Sequence, residues 1–111
     1  MPADYTALVT ALKKLGIPFA ENAWTSRPKV DTYGVVSLDF EADALRGDNG
    51  KLITSYEGSV DLFSTEKESQ YVAQIVSVLT TYCDGCWSLN SHVYETNTRL
   101  FHWEWTFEVD D

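Results

Sequence analysis

The chain has 111 residues and a formal charge of −9, from 17 acids against 8 bases, with 44% apolar and 14% aromatic residues. That length suits one domain with its own core and is too short for two. The acidic balance argues against holding a nucleic-acid backbone or an anionic membrane by charge, though not against letting DNA pass, and four tryptophans and six tyrosines suggest a well-packed core, a sticky surface, or both.

No basic start runs into an apolar stretch, so no secretory signal is expected, and no apolar run reaches the length of a membrane span. Two cysteines in such a chain fit a reducing cytosol. There is no internal repeat or low-complexity tract.

The first element is a helix over about Ala3–Leu15, with Tyr5, Leu8, Val9, Leu12 and Leu15 as its apolar stripe. Lys13 and Lys14 suit the negative end of the helix dipole, Gly16 supplies a left-handed C-terminal cap, and Pro18 blocks continuation. Phe19–Trp24 reads as short and extended, and Thr25–Lys29 as a loop containing Pro28. Tyr33–Phe40 is a strand with Val36, Leu38 and Phe40 on one face and Val35, Ser37 and Asp39 on the other. The polar loop Glu41–Gly50 follows, with Gly47 and Asn49-Gly50 as turn signals.

Leu52–Leu62 alternates again: Leu52, Thr54, Tyr56, Gly58, Val60 and Leu62 on one side, with Ile53, Ser55, Glu57, Ser59 and Asp61 on the other. Antiparallel pairing with Tyr33–Phe40 sets Val36, Leu38 and Phe40 beside Tyr56, Thr54 and Leu52, with both apolar faces on one side. The period then changes. Thr65 and Glu68 have capping-box spacing, and Val72, Ile75, Val76 and Leu79 form the stripe of a helix over about Glu66–Tyr82, ending near Asp84-Gly85.

Trp87–Tyr94 is a strand, Thr96-Asn97-Thr98 a turn, and the last strand is the most lopsided. Phe101, Trp103, Trp105, Phe107 and Val109 face one way; Leu100, His102, Glu104, Thr106 and Glu108 face the other. The simplest register puts Phe101 opposite Val93 and Trp103 opposite Ser91, and so His92 opposite His102. The expected fold is α+β, a mainly antiparallel sheet of four to five strands with two helices packed on one face. The other face, with Glu57, Asp61, Glu104 and Glu108, is then wet or used for assembly.

Cys83-Asp84-Gly85-Cys86 has redox or zinc spacing. A redox thiol is activated at a helix N-terminus, whereas this pair falls at a C-terminus, and zinc needs four ligands where one cysteine pair is present. A helix-terminating turn with incidental thiols is the plainer reading. Two histidines do not make a metal site either. Arg46-Gly47-Asp48 matches an adhesion tripeptide but is ordinary turn material. The aromatic strand lacks the basic groove of a single-strand binder and reads as core. No catalytic constellation, metal or cofactor is expected.

Several segments in order carry a resemblance: Leu15-Gly16-Ile17-Pro18-Phe19-Ala20, then Trp24, then Tyr33-Gly34-Val35-Val36. Gly58-Ser59-Val60-Asp61-Leu62-Phe63 enters a charged helix start, and His102-Trp103-Glu104-Trp105-Thr106-Phe107-Glu108-Val109 closes the chain. In order and length the whole chain resembles the small tail-terminator, or tail-completion, proteins of long-tailed bacteriophages and prophages. The resemblance implies a compact α+β protomer, not an enzyme, made in the bacterial cytoplasm and built into the virion as a ring, typically a hexamer. It implies contacts with its own copies, with the major tail protein and with the head connector, while DNA passes without specific binding; no membrane is involved. It transfers no binding residues to particular positions. From loop length, polarity and strand face, the expected interaction residues are Glu41, Asp43, Arg46 and Asp48 in the loop, and Glu57 and Asp61 on the strand. A head-completion subunit, a small acidic inhibitor or DNA mimic, and a thiol oxidoreductase are the alternatives.

Overall fold

A computed structural model describes residues 3–24, 29–41 and 55–110. In chain order the elements are α1 (Ala3–Lys13), β1 (Phe19–Glu21), β2 (Thr32–Glu41), β3 (Ser55–Ser64), α2 (Tyr71–Tyr82), β4 (Trp87–Glu95) and β5 (Leu100–Asp110). The strands form one five-stranded sheet in the order β1-β2-β3-β5-β4. Only β1 runs parallel to its neighbour, β2; the β2–β3, β3–β5 and β5–β4 pairs are antiparallel. The fold is α+β.

One face of the sheet is covered. The ladders align Val36 with Val60 and Val60 with Trp105, and likewise Gly34, Leu62 and Trp103. Directly opposed residues share a face, so these rows and Phe107 form one apolar surface. Against it pack Tyr5, Leu8, Val9 and Leu12 of α1 and Ile75 and Leu79 of α2, all buried in the same cluster. Each fully buried aliphatic contributes roughly 1.5–3 kcal/mol. Two glycines on this face admit aromatic rings: a Cβ on Gly34 would strike the Phe19 ring, and one on Gly58 would strike Phe107 and the Ser37 carbonyl. The left-handed residue expected after α1 is present, Gly16 at φ +94°.

Five expectations are corrected. In the β2–β3 hairpin, Val36 pairs with Val60 and not Tyr56, and Leu38 with Gly58 and not Thr54. The displacement along β3 is even, so the apolar faces still coincide. A bulge between Leu38 and Phe40 then brings Phe40 opposite Glu57, whereas unbroken alternation was expected through Phe40. Residues 52–54 lie outside the described residues.

The start of α2 is also later than expected. β3 continues to Ser64, which is buried and shares a hydrogen bond with the Thr32 hydroxyl at 3.0 Å, and the Thr65 N–H donates to the Asp31 carbonyl at 3.1 Å. These bonds hold the chain against the sheet, and the Thr65–Glu68 box does not open a helix. The helix begins at Tyr71, whose N–H donates to the Ser69 hydroxyl at 3.2 Å. α1 likewise ends at Lys13, earlier than the expected Leu15.

The last hairpin carries the most consequential difference. Trp87, Ser88 and Leu89 oppose Phe107, Thr106 and Trp105 as expected, but the register shifts between Leu89 and Ser91. Beyond it His92 opposes Trp103, Val93 opposes His102 and Tyr94 opposes Phe101. One extra residue moves every later side chain to the other face. The two histidines are therefore not opposite one another. His92 stacks on Trp103 on the helix side, with ring centroids 4.3 Å apart, and His102 lies on the open side.

Candidate functional site

The face of the sheet turned away from α1 and α2 is built from cross-strand rows. The first is aromatic: Tyr33, Phe63 and His102 on β2, β3 and β5, with Val93 opposite His102 on β4. Tyr33 stacks on Phe63 at 5.0 Å between centroids, and Phe63 stacks on His102 at 4.2 Å. Trp24 closes the near end, edge-on to Tyr33, with its indole N–H donating to the Gly34 carbonyl at 3.1 Å. The next row is Val35, Asp61 and Glu104, and the third is Ser37, Ser59, Thr106 and Ser88. Hydroxyls bond within that third row, Ser37 to Ser59 at 3.1 Å and Ser88 to Thr106 at 3.3 Å. The fourth row opposes Glu57 to Glu108.

His102 is the most constrained polar group on this face. Its Nε2 is 2.7 Å from Asp61 Oδ1 and its Nδ1 is 3.0 Å from Glu95 Oε2. Both ring nitrogens can donate only in the imidazolium form, so two carboxylates select the charged ring. The Asp61 hydrogen bond is the main reason its pKa is raised above the usual histidine value; burial opposes this, and Glu95 adds to it. The side chains of His102 and Asp61 are each 19% exposed, which limits solvent screening of the pair. Glu95 is fixed from the turn as well, by the Thr98 hydroxyl at 3.0 Å. The clamp ties β3, β5 and the end of β4 together.

Asp61 and Glu104, and Glu57 and Glu108, are directly opposed like charges, an arrangement that costs free energy in an isolated sheet. No base lies in these rows. Beside Glu57 and Glu108 an open groove of about 480 Å³ runs past Cys86, Ser88 and Thr106. On the helix side a second groove, of about 340 Å³, lies between α2 and β4, floored by His92 and Trp103 and walled by Val72 and Ala73.

Of the expected interaction residues, Glu57 and Asp61 lie on the open face, in separate rows, and Glu41 ends β2 opposite Tyr56. Asp43, Arg46 and Asp48 lie outside the described residues. Sequence reasoning placed His102 and Asp61 on the polar face but missed their bond, and missed Glu95, Phe63 and Tyr33 as its surroundings. The period-two pattern held the hint that His102 and Phe63 share a face; the β4 bulge was not readable. Cys83 is buried, its thiol pushed up to about 12 chiefly by burial, and Cys86 is exposed. Such a buried, protonated thiol is a poor nucleophile. Among the described residues no group of three or more His, Cys, Asp or Glu could hold a metal, and no helix is long and apolar enough to cross a membrane.

No protein-family model and no curated protein matches the chain. Among solved structures it is similar to a chain from the virion of the native gene transfer agent (GTA) particle, at 16% identity and a TM-score of 0.44, over 98% of this chain and 84% of that one.

Proposed function

We propose that this protein is a structural, non-catalytic subunit of a phage-type virion: a tail terminator that assembles as a ring, typically a hexamer, on the end of the tail tube. There it stops polymerisation of the major tail protein and offers a surface to the head connector. The observation that carries the reading is the one-sided sheet. Two helices cover one face, while the other presents opposed carboxylates with no base in their rows. A face on which Glu57 meets Glu108, and Glu104 meets an Asp61 already clamped by His102, is suited to contact with something else, and an acidic ring lets DNA through without gripping it. The order of sequence segments that resembles tail terminators narrows the assembly to this one. Glu41, Asp43, Arg46, Asp48, Glu57 and Asp61 are the proposed contacts with neighbours in the particle.

Removing the protein from an otherwise complete particle and imaging the products by electron microscopy tests this. Tails of uncontrolled length that fail to join heads are expected. Normal tails joined to heads would end the proposal.

A second reading has one observation in its favour. Glu57, Asp61, Glu104 and Glu108 gather on one face, as a small acidic protein that binds a basic partner requires. Normal tail assembly together with tight, salt-sensitive capture of a basic protein would favour that reading.

A further inference from the structure

The turn that joins β4 to β5 is held in a conformation that costs free energy. Arg99, its last residue, stands at φ +60°. Glycine is the usual occupant of such a left-handed position, and another residue keeps it only where its surroundings impose it. The bonds that impose it converge on Glu95, the last residue of β4. Its carbonyl accepts from the Arg99 N–H at 2.8 Å. Its carboxylate accepts from the Thr98 hydroxyl at 3.0 Å and meets His102 Nδ1, also at 3.0 Å. Of these three, the His102 bond alone runs from the turn to the body of the sheet.

The charged groups around His102 are acids. Asp61 on β3 lies 2.7 Å from Nε2, Glu95 comes from β4, and Glu104 is next along the same face of β5, opposite Asp61. β2 approaches only through Tyr33, stacked behind Phe63, and Val93 opposes the ring from β4. The one lysine or arginine in β4, β5 and the turn between them is Arg99, which is exposed.

The proton count on the ring decides what it can hold. An imidazolium donates to both carboxylates, whereas a neutral ring has one N–H. Asp61, the shorter contact, keeps that donor, and Nδ1 then turns a lone pair toward the Glu95 carboxylate in place of a charge-assisted bond. The break is one-sided. β3 and β5 stay joined by their ladder and by the Asp61 bond. On the other face His92 on Trp103, at 4.3 Å, and Tyr94 against Phe101, at 4.8 Å, hold β4 up to Glu95. Residues 96–99 are what is left loose, and the strain at Arg99 favours their release.

We propose that His102 is a proton-operated latch on the β4–β5 turn: the imidazolium holds Glu95, and through it the strained turn, while the neutral ring frees the turn and leaves the sheet paired. The latch presents Arg99, the hairpin's base, in one position on the acid side of the ring's titration and in many on the alkaline side. It goes beyond the assembly reading above and does not depend on it.

An NMR titration of the unmodified chain tests this. The ring signals of His102 locate its midpoint, and amide relaxation is measured on either side of it. The order parameters of the turn amides, Thr96 to Arg99, should drop from about 0.85 to below about 0.6 as the ring loses its proton, while those of β3 stay near the rigid value. Glu95→Gln is the control, because an amide side chain accepts from the charged ring and donates to the neutral one. With circular dichroism confirming its fold, its turn should stay equally ordered at both pH values while His102 still titrates against Asp61. Turn amides in the unmodified chain that keep their order across the midpoint would overturn the latch. So would an equal loss of order in β3, which would mean that the sheet yields and not the turn. A Glu95→Gln turn that still loosens with pH would overturn it as well, by removing Glu95 from the cause.

Discussion

His102 shows how much one side chain can depend on three strands. Its ring is stacked on Phe63, and its nitrogens face Asp61 and Glu95 at 2.7 and 3.0 Å. Val93 opposes it from β4, and Glu104 lies opposite Asp61 on the same face. Because its pKa is raised in the fold, the folded protein binds the imidazole proton more tightly than the unfolded chain. The clamp's contribution is thus full below the ordinary histidine value of about 6.5 and is lost as pH rises through the higher folded value. The neutral ring keeps one donor. Asp61, the shorter contact, retains it, and Glu95 is left facing a lone pair. Unfolding by denaturant at a series of pH values should show stability falling over that interval. His102→Ala should cost about 2 kcal/mol at pH 6 and remove that fall. A variant with an unchanged pH profile would show that folding does not change the ring's hold on its proton.

At the scale of elements, the start of α2 separates local from tertiary control. Thr65 and Glu68 have capping spacing, yet the Thr65 N–H donates to the Asp31 carbonyl and the Glu66 N–H to the Ser64 hydroxyl, which keeps their segment on the sheet. Ser69 is the residue that meets the first turn, accepting from the Tyr71 N–H. Thermal melts should therefore rank the substitutions against their spacing. Ser69→Ala is expected to cost about 1 kcal/mol, while Thr65→Ala and Glu68→Ala stay within about 0.5 kcal/mol of the parent. The reverse order would restore the capping box. The β4 bulge works at the same scale. It sends His92 onto Trp103 and leaves His102 to the acids.

For the whole molecule, the division into a covered and an uncovered face sets what it can do. The covered face holds the aromatic and aliphatic core; the uncovered one holds Glu57 opposite Glu108 and Asp61 opposite Glu104. Replacing Glu57 with Gln should raise the isolated protein's stability at low salt by about 0.5 kcal/mol. The gain should fade toward 1 M salt, where screening acts over about 3 Å. A substitution that destabilises at both salt concentrations would mean that Glu57 has a stabilising partner, and that this end of the face is not held in like-charge opposition.

By itself the sequence determined the kind of each element and which of its sides is apolar. A helix repeats every 3.6 residues and a strand every two, so Tyr5, Leu8 and Leu12, or Trp103, Trp105 and Phe107, declare a face without knowledge of any neighbour. The open face with Glu57, Asp61, Glu104 and Glu108 was legible for the same reason. What meets across strands was decided only in three dimensions. The even displacement of β3 along β2 preserved the faces while changing every pair, and is invisible to a periodic pattern. The single extra residue in β4 inverted the faces beyond it and separated His92 from His102. It also left Val93 beside His102, whose clamp binds Asp61 and Glu95 from positions distant in the chain. Periodicity is a property of the local backbone, whereas register is fixed by how the whole core, turns and bulges fit together.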